Sequence, residues 1–143
     1  MVALIQYTMK KGLQLVLLMA AVVLMSSCQK DEPGTITGRW IMEGFENSVR
    51  VEYQDGIEYT IYANGDGVFP SLADWVAANP GVMQHNYVVE GDSLIVDLNF
   101  GNYARSEMVF KCSNDVVHLN RTSVSGPFTV KLYREGHDIS ACN

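Results

Sequence analysis

"SLIVDLNF" (93–100), "ARSEMVFKCS" (104–113), "DVVHLNR" (115–121) and "PFTVKLYRE" (127–135) follow one another with only "GNY", "N"- and "S"-rich breaks and "TSVSG" between them. Each alternates apolar and polar residues, the period-2 pattern of a strand with one buried face. Connections this short permit antiparallel neighbours and leave no room for the crossover that a parallel pair requires. Leu94-Val96-Leu98, Met108-Phe110-Cys112, Val117-Leu119 and Phe128-Val130-Leu132 would then face inward. Asp97, Lys111, His118, Asn120 and Lys131 would face solvent.

The same texture extends upstream. "TITGRWIME" (35–43) puts Ile36, Gly38, Trp40 and Met42 on one face, and "SVRVEY" (48–53) and "IEYTIYA" (57–63) flank a "QDG" hairpin signal. "NGDG" (64–67) is a second turn, leading into a short fourth strand, "VFP", and "MQHNYVVEG" (83–91) supplies another strand. Between them lies one helical phrase, "PSLADWVAANPG": Ser71 can cap it, Asp74 sits three residues on, and Asn79-Pro80-Gly81 ends it. Leu72, Trp75 and Val76 share a face, so a short helix near 71–79 is expected to lid one end of the sheet. Eight or nine strands in meander order predict a small all-β, up-and-down antiparallel barrel, whose closure removes exposed edges.

The chain has 143 residues, enough for one domain once a processed segment is subtracted. Every one of the sixteen Asp and Glu follows Cys28, whereas Lys10 and Lys11 precede it, so eight basic residues face sixteen acidic ones and the part from Cys28 onward carries −8. An acidic domain without a Lys/Arg stripe argues against nucleic acid as a partner, because phosphates demand clustered positive charge.

Residues 1–27 differ in kind. Met9, Lys10 and Lys11 precede "GLQLVLLMAAVVLM" and then Ser26-Ser27, the basic, apolar and small-residue order of a secretory signal peptide. The Lys-Lys pair directly after a Met suggests Met9 as the true start. "LMSSC" resembles a bacterial lipobox, which implies diacylglycerol on the Cys28 sulfur and Cys28 as the first residue of the mature chain; an ordinary cleaved signal is the alternative. Acyl chains suffice as a membrane anchor, at about 0.8 kcal/mol per buried CH₂ with several chains acting together. Residues 28–35 form the lipidated tether, polar and without periodicity, and 36–143 the barrel domain.

Gly38-x-Trp40 on the first strand, with Tyr133-Arg134 ending the last long one, resembles the lipocalin-like calycin pattern. The resemblance implies that Trp40 lies across the closed end and that Arg134 packs on it as a barrel-closing pair, a partly desolvated cation–π contact contributing about 1–2 kcal/mol. The layout from Cys28 to about Glu135 is similar to the small lipocalin-like lipoproteins of Bacteroidota, through Cys28–Asp31, Gly38–Trp40, Tyr62–Gly67, Tyr87–Leu94 and Leu132–Arg134. It departs at "SLADWVAANPGVM", a longer insertion. "QKDE" after Cys28 resembles a surface-export signal of the same bacteria, which implies an outer-membrane lipoprotein exposed at the cell surface, with periplasm-facing retention as the alternative.

No constellation for chemistry emerges. His85, His118 and His137 lie on separate segments without metal-ligand spacing, and His118 and His137 are expected on the solvated surface. "NGDG" lacks the alternating oxygen ligands of a calcium loop, and no nucleophile elbow or phosphate loop is present. No enzyme, metal or cofactor is therefore expected. Once Cys28 is acylated, Cys112 and Cys142 can pair in an oxidising compartment, closing a loop of about thirty residues worth ~3 kcal/mol, or Cys112 can be core and Cys142 free.

Two functions compete. One is a non-enzymatic binding module for a small apolar or amphipathic ligand, or for a protein or glycan partner met by the rim aromatics Phe69, Trp75 and Tyr103. The other is a structural or inhibitor-like interaction domain whose barrel is filled by side chains such as Trp40, Met108 and Phe110. On either reading a monomer is expected.

Overall fold

The computed structural model describes residues 34–82, 84–138 and 140. The signal segment, Met9, Cys28, the rest of the tether to residue 33, and Cys142 lie outside these residues.

Eight strands form a closed barrel in chain order: β1 (Gly38–Met42), β2 (Val49–Gln54), β3 (Ile57–Tyr62), β4 (Gln84–Glu90), β5 (Ser93–Asp97), β6 (Tyr103–Lys111), β7 (Val116–Ser123) and β8 (Gly126–Arg134). Every neighbouring pair is antiparallel, and β1 closes on β8 through Trp40↔Arg134, Ile41↔Tyr133 and Met42↔Leu132. The sheet thus has no free edge to template association. One helix, α1 (Leu72–Ala78), interrupts the meander between β3 and β4. Ser71 caps it, its hydroxyl accepting from the Asp74 backbone N–H at 3.2 Å, which satisfies one of the donors a helix start leaves orphaned.

Period-2 alternation places the core. Trp40, Leu94, Val96, Val117, Leu119 and Leu132 are each at most 1% exposed and form one cluster inside the barrel. Three expectations change. Cys112 does not continue β6 inward: the strand stops at Lys111, and Cys112, Ser113 and Asn114 turn through positive φ of 53°, 54° and 73°. Leu98 and Phe128 are 47% and 46% exposed, because the barrel interior opens toward their end. "VFP" is not a strand: Phe69 lies flat on the outer wall beneath the Arg50 guanidinium, 3.9 Å from its carbon, and the Pro70 carbonyl accepts from Arg39 Nη1 at 3.1 Å.

That returning segment explains an inversion in β3. Register with Val51 and Tyr53 turns Glu58 and Thr60 inward, so the apolar set Ile57, Tyr59 and Ile61 faces out. Ile61 is nonetheless 0% exposed. Burial against an added outer layer, not the barrel interior, rewards its apolar side chain.

At the other end Gly34 lies against Phe110, so closely that a Cβ there would clash with the ring. Gly34→Ala is expected to cost about 1–3 kcal/mol through overpacking, measured by urea unfolding followed through Trp fluorescence. Wild-type stability in that variant would show that this segment does not press on the ring.

Candidate functional site

The two ends of the barrel are built differently. At the first, where β1 begins and β8 ends, residues 34–37 form a strap. Trp40 is 0% exposed and its indole Nε1 donates to the Ile36 carbonyl at 2.6 Å, which joins the strap to the core. Arg134 lies over the Trp40 ring, 4.3 Å from its centroid. Its Nη1 donates to the Thr37 carbonyl and its Nη2 to the Thr35 carbonyl, each at 3.2 Å, and Nε stands 3.6 Å from the Asp115 carboxylate. Gly38 has φ of +115°, and a Cβ on it would meet Arg134 Nη1 at 3.1 Å. Both the left-handed backbone and the close approach therefore call for glycine two residues before the tryptophan.

Beside the strap is a recess of about 380 Å³, lined by Ile36, Tyr87, Val89, Met108 and Phe110, with Asp92 on the β4–β5 turn. Most of its wall is apolar, yet it lies at the plugged end, beside the chain's entry.

At the second end the interior stays accessible. Tyr62, inward by its register with Val49, is 41% exposed, and Phe128, inward with Val130 and Leu132, is 46% exposed. Charged groups enter this space. Arg121 shares the inward face with Val117 and Leu119, and its Nε donates to the hydroxyl of Ser106 at 2.6 Å, Ser106 itself being 1% exposed. Deeper in the interior, Glu58 pairs with Tyr53 on β2 and with His85 on β4, which turns all three inward, Tyr53 lying level with Gly38 on the side of the plugged end. Tyr53 packs edge-on against Tyr87, centroids 5.2 Å apart. Burial, and then the Glu58 carboxylate, raise the Tyr53 hydroxyl well above its ordinary pKa, so it stays a neutral donor. His85 Nδ1 is 3.1 Å from the Asp97 carbonyl.

Arg121, Glu58 and Ser106 are not among the residues that motif and spacing single out. The signal for Arg121 was available: the Val117-Leu119 alternation, carried one step further, puts it inside. For Glu58 none was, since "IEYTIYA" offers its apolar face to the wrong side.

The aromatics expected at the rim do not form one surface. Phe69 is covered by Arg50 on the outer wall, which corrects its assignment as a free rim contact. Trp75 packs on Tyr62 with centroids 6.0 Å apart, and its Nε1 is buried without a hydrogen-bond partner among the described residues. Tyr103 stands 65% exposed at the start of β6, three strands round from β3. His137 is not a solvated tail residue either: its side chain is 15% exposed, with Nδ1 3.5 Å from Asp115. His118 does face outward, where burial first and then Lys111 and Lys131 lower its pKa.

Cys112 is disulfide-bonded. Cys142, the partner expected for it, and Cys28, the expected acylation site, lie outside the described residues. Among the described residues no three His, Cys, Asp or Glu side chains are grouped to hold a metal ion. No family model, curated protein or solved structure matches the chain.

Proposed function

We propose that the protein is a non-enzymatic, lipid-anchored lipoprotein of the bacterial outer membrane, lipocalin-like in build, that binds a small apolar or amphipathic ligand in the open end of its barrel. The observation that carries this reading is the asymmetry of the interior. One end is plugged by Trp40, Arg134 and the strap, whereas at the other inward-facing Phe128 and Tyr62 are nearly half exposed. Small-molecule sites are concave, mostly apolar and furnished with a few polar groups, and this half has that composition. The lipobox resemblance at Cys28 and the acidic tether support anchoring and display at the cell surface.

A protein or glycan partner is the second reading, favoured by the tips of two hairpins at the open end: Phe100, fully exposed at φ of +54°, and Val124, also fully exposed. Bulky residues in the left-handed region are uncommon enough to point to function.

Native mass spectrometry of the chain purified from membranes tests the proposal. A co-purifying small molecule, released on unfolding, is the expected result. An empty barrel together with a stably captured protein would replace it with the second reading.

A further inference from the structure

Inside the barrel, toward the open end, one side chain is held in place at its neck and makes no hydrogen bond at its tip. Arg121 is fixed through Nε to Ser106, a hydroxyl buried between the core residues Ala104 and Met108 on the same face of β6. Among the described residues no carboxylate pairs with Arg121, and neither of its two terminal nitrogens has a hydrogen-bond partner. Neither of those nitrogens is a buried orphan, so both reach accessible space. A guanidinium costs free energy when desolvated unpaired, and its planar fork matches a two-oxygen anion.

We infer that Arg121 is the head-group receptor of the barrel, and that the ligand is an amphipathic carboxylate whose apolar part lies along Phe128 and Tyr62. This rests on the binding reading above. Ser106 holds the guanidinium with its terminal N–H pair toward the ligand, and Phe128, directly opposite Arg121 in the β7–β8 register, supplies apolar wall next to the head group. Across the barrel, Tyr53, Glu58 and His85 face the same interior. Glu58 sets the charge limit. With one fixed cation and one carboxylate in the same space, a singly charged head group fits better than a dianionic phosphate, which needs more cations. The Tyr53 hydroxyl feels both charges, Glu58 raising its pKa and Arg121 lowering it, so the neutral phenol lies between the carboxylate and the guanidinium.

The test is calorimetric titration of octanoate, octanol and octyl phosphate into the full chain held in nanodiscs, with empty nanodiscs subtracted. Octanoate is expected to bind about tenfold to a hundredfold more tightly than octanol, the range of a charge-assisted hydrogen-bonded pair. Arg121→Gln should bring octanoate down to the level of octanol while octanol binding persists. Arg121→Lys, which keeps the charge and loses the fork, should fall between. Equal binding of octanoate and octanol to the wild type would overturn the carboxylate assignment and leave a purely apolar site. Tighter binding of octyl phosphate than of octanoate would overturn it in favour of phosphate. Binding of none of the three would overturn both the assignment and the binding module. The wild-type comparison decides without any variant, so a poorly folded Arg121→Gln does not rescue the idea.

Discussion

Trp40→Ala is expected to lower folding stability by about 3–5 kcal/mol, the range for removing a fully buried large aromatic. Three contributions are lost together. The indole fills the plugged end at 0% exposure, its Nε1 is the donor to the Ile36 carbonyl at 2.6 Å, and its face receives Arg134 at 4.3 Å. The Ile36 side chain, 2% exposed, loses its reason to lie across the barrel once that hydrogen bond is gone. Trp40→Phe separates the effects, keeping most of the packing and the ring face but not the donor, and should cost about 1–2 kcal/mol. Arg134→Met should cost less than Trp40→Ala, because the Thr35 and Thr37 carbonyls it leaves are at an exposed edge where water can replace it. The coupling of Trp40 and Arg134 in a double-mutant cycle is expected at about 1–2 kcal/mol. Urea unfolding measures all of these. A loss under ~1 kcal/mol for Trp40→Ala would mean that the strap end closes without its indole.

How far the sequence discloses this arrangement depends on which force sets each feature. The meander from β4 to β8 is legible because one face of each strand is buried and the other wet, so burial and alternation coincide. Leu94 and Val96, Met108 and Phe110, and Val117 and Leu119 carry that signal on three successive strands. It fails at β3. There the outer face is covered by the segment that carries Phe69 and Pro70, so Ile61 faces outward and is still buried, while Glu58 faces in. No local pattern distinguishes burial by the barrel from burial by an insertion packed on its outside. Cys112 misleads for a related reason: alternation counts it as the next inward residue, but three consecutive left-handed residues end the strand one position earlier. Non-glycine residues rarely adopt that conformation, and only the tertiary setting selects it. The plugged end was legible through a resemblance carried by Gly38, Trp40 and Arg134, and the structure supplies its physics in the positive φ of Gly38 and the approach of Arg134. The polar groups inside the barrel rest on register between strands, Tyr53 with Glu58 across the β2–β3 hairpin and Glu58 with His85 across the longer β3–β4 connection. Periodicity within one strand does not report such pairings.

Reduction of the Cys112 disulfide is expected to lower stability by ~3 kcal/mol if it closes the thirty-residue loop to Cys142, and the identity of the partner decides more than stability. Cys112 opens the β6–β7 turn, and the chain comes back to that turn after β8: the Arg134 backbone N–H donates to the Asp115 carbonyl at 2.8 Å, and His137 Nδ1 lies 3.5 Å from the Asp115 carboxylate. From His137, five further residues can span about 17 Å, so Cys142 is within reach. Cys28 is within reach too, because Gly34 lies against Phe110, two residues before Cys112. A sulfur that carries diacylglycerol cannot also form a disulfide, so the two assignments exclude each other. The expected result is that Cys142→Ser and Cys112→Ser each cost what reduction costs, that Cys28→Ser leaves unfolding unchanged, and that the same Cys28→Ser abolishes incorporation of labelled palmitate. Thermal or urea unfolding with and without reductant reads the first two, and metabolic labelling the third. If Cys28→Ser instead matches the loss on reduction and Cys142→Ser does not, the anchor proposed at Cys28 is wrong, and the strap would be joined to the β6–β7 turn covalently as well as through Arg134.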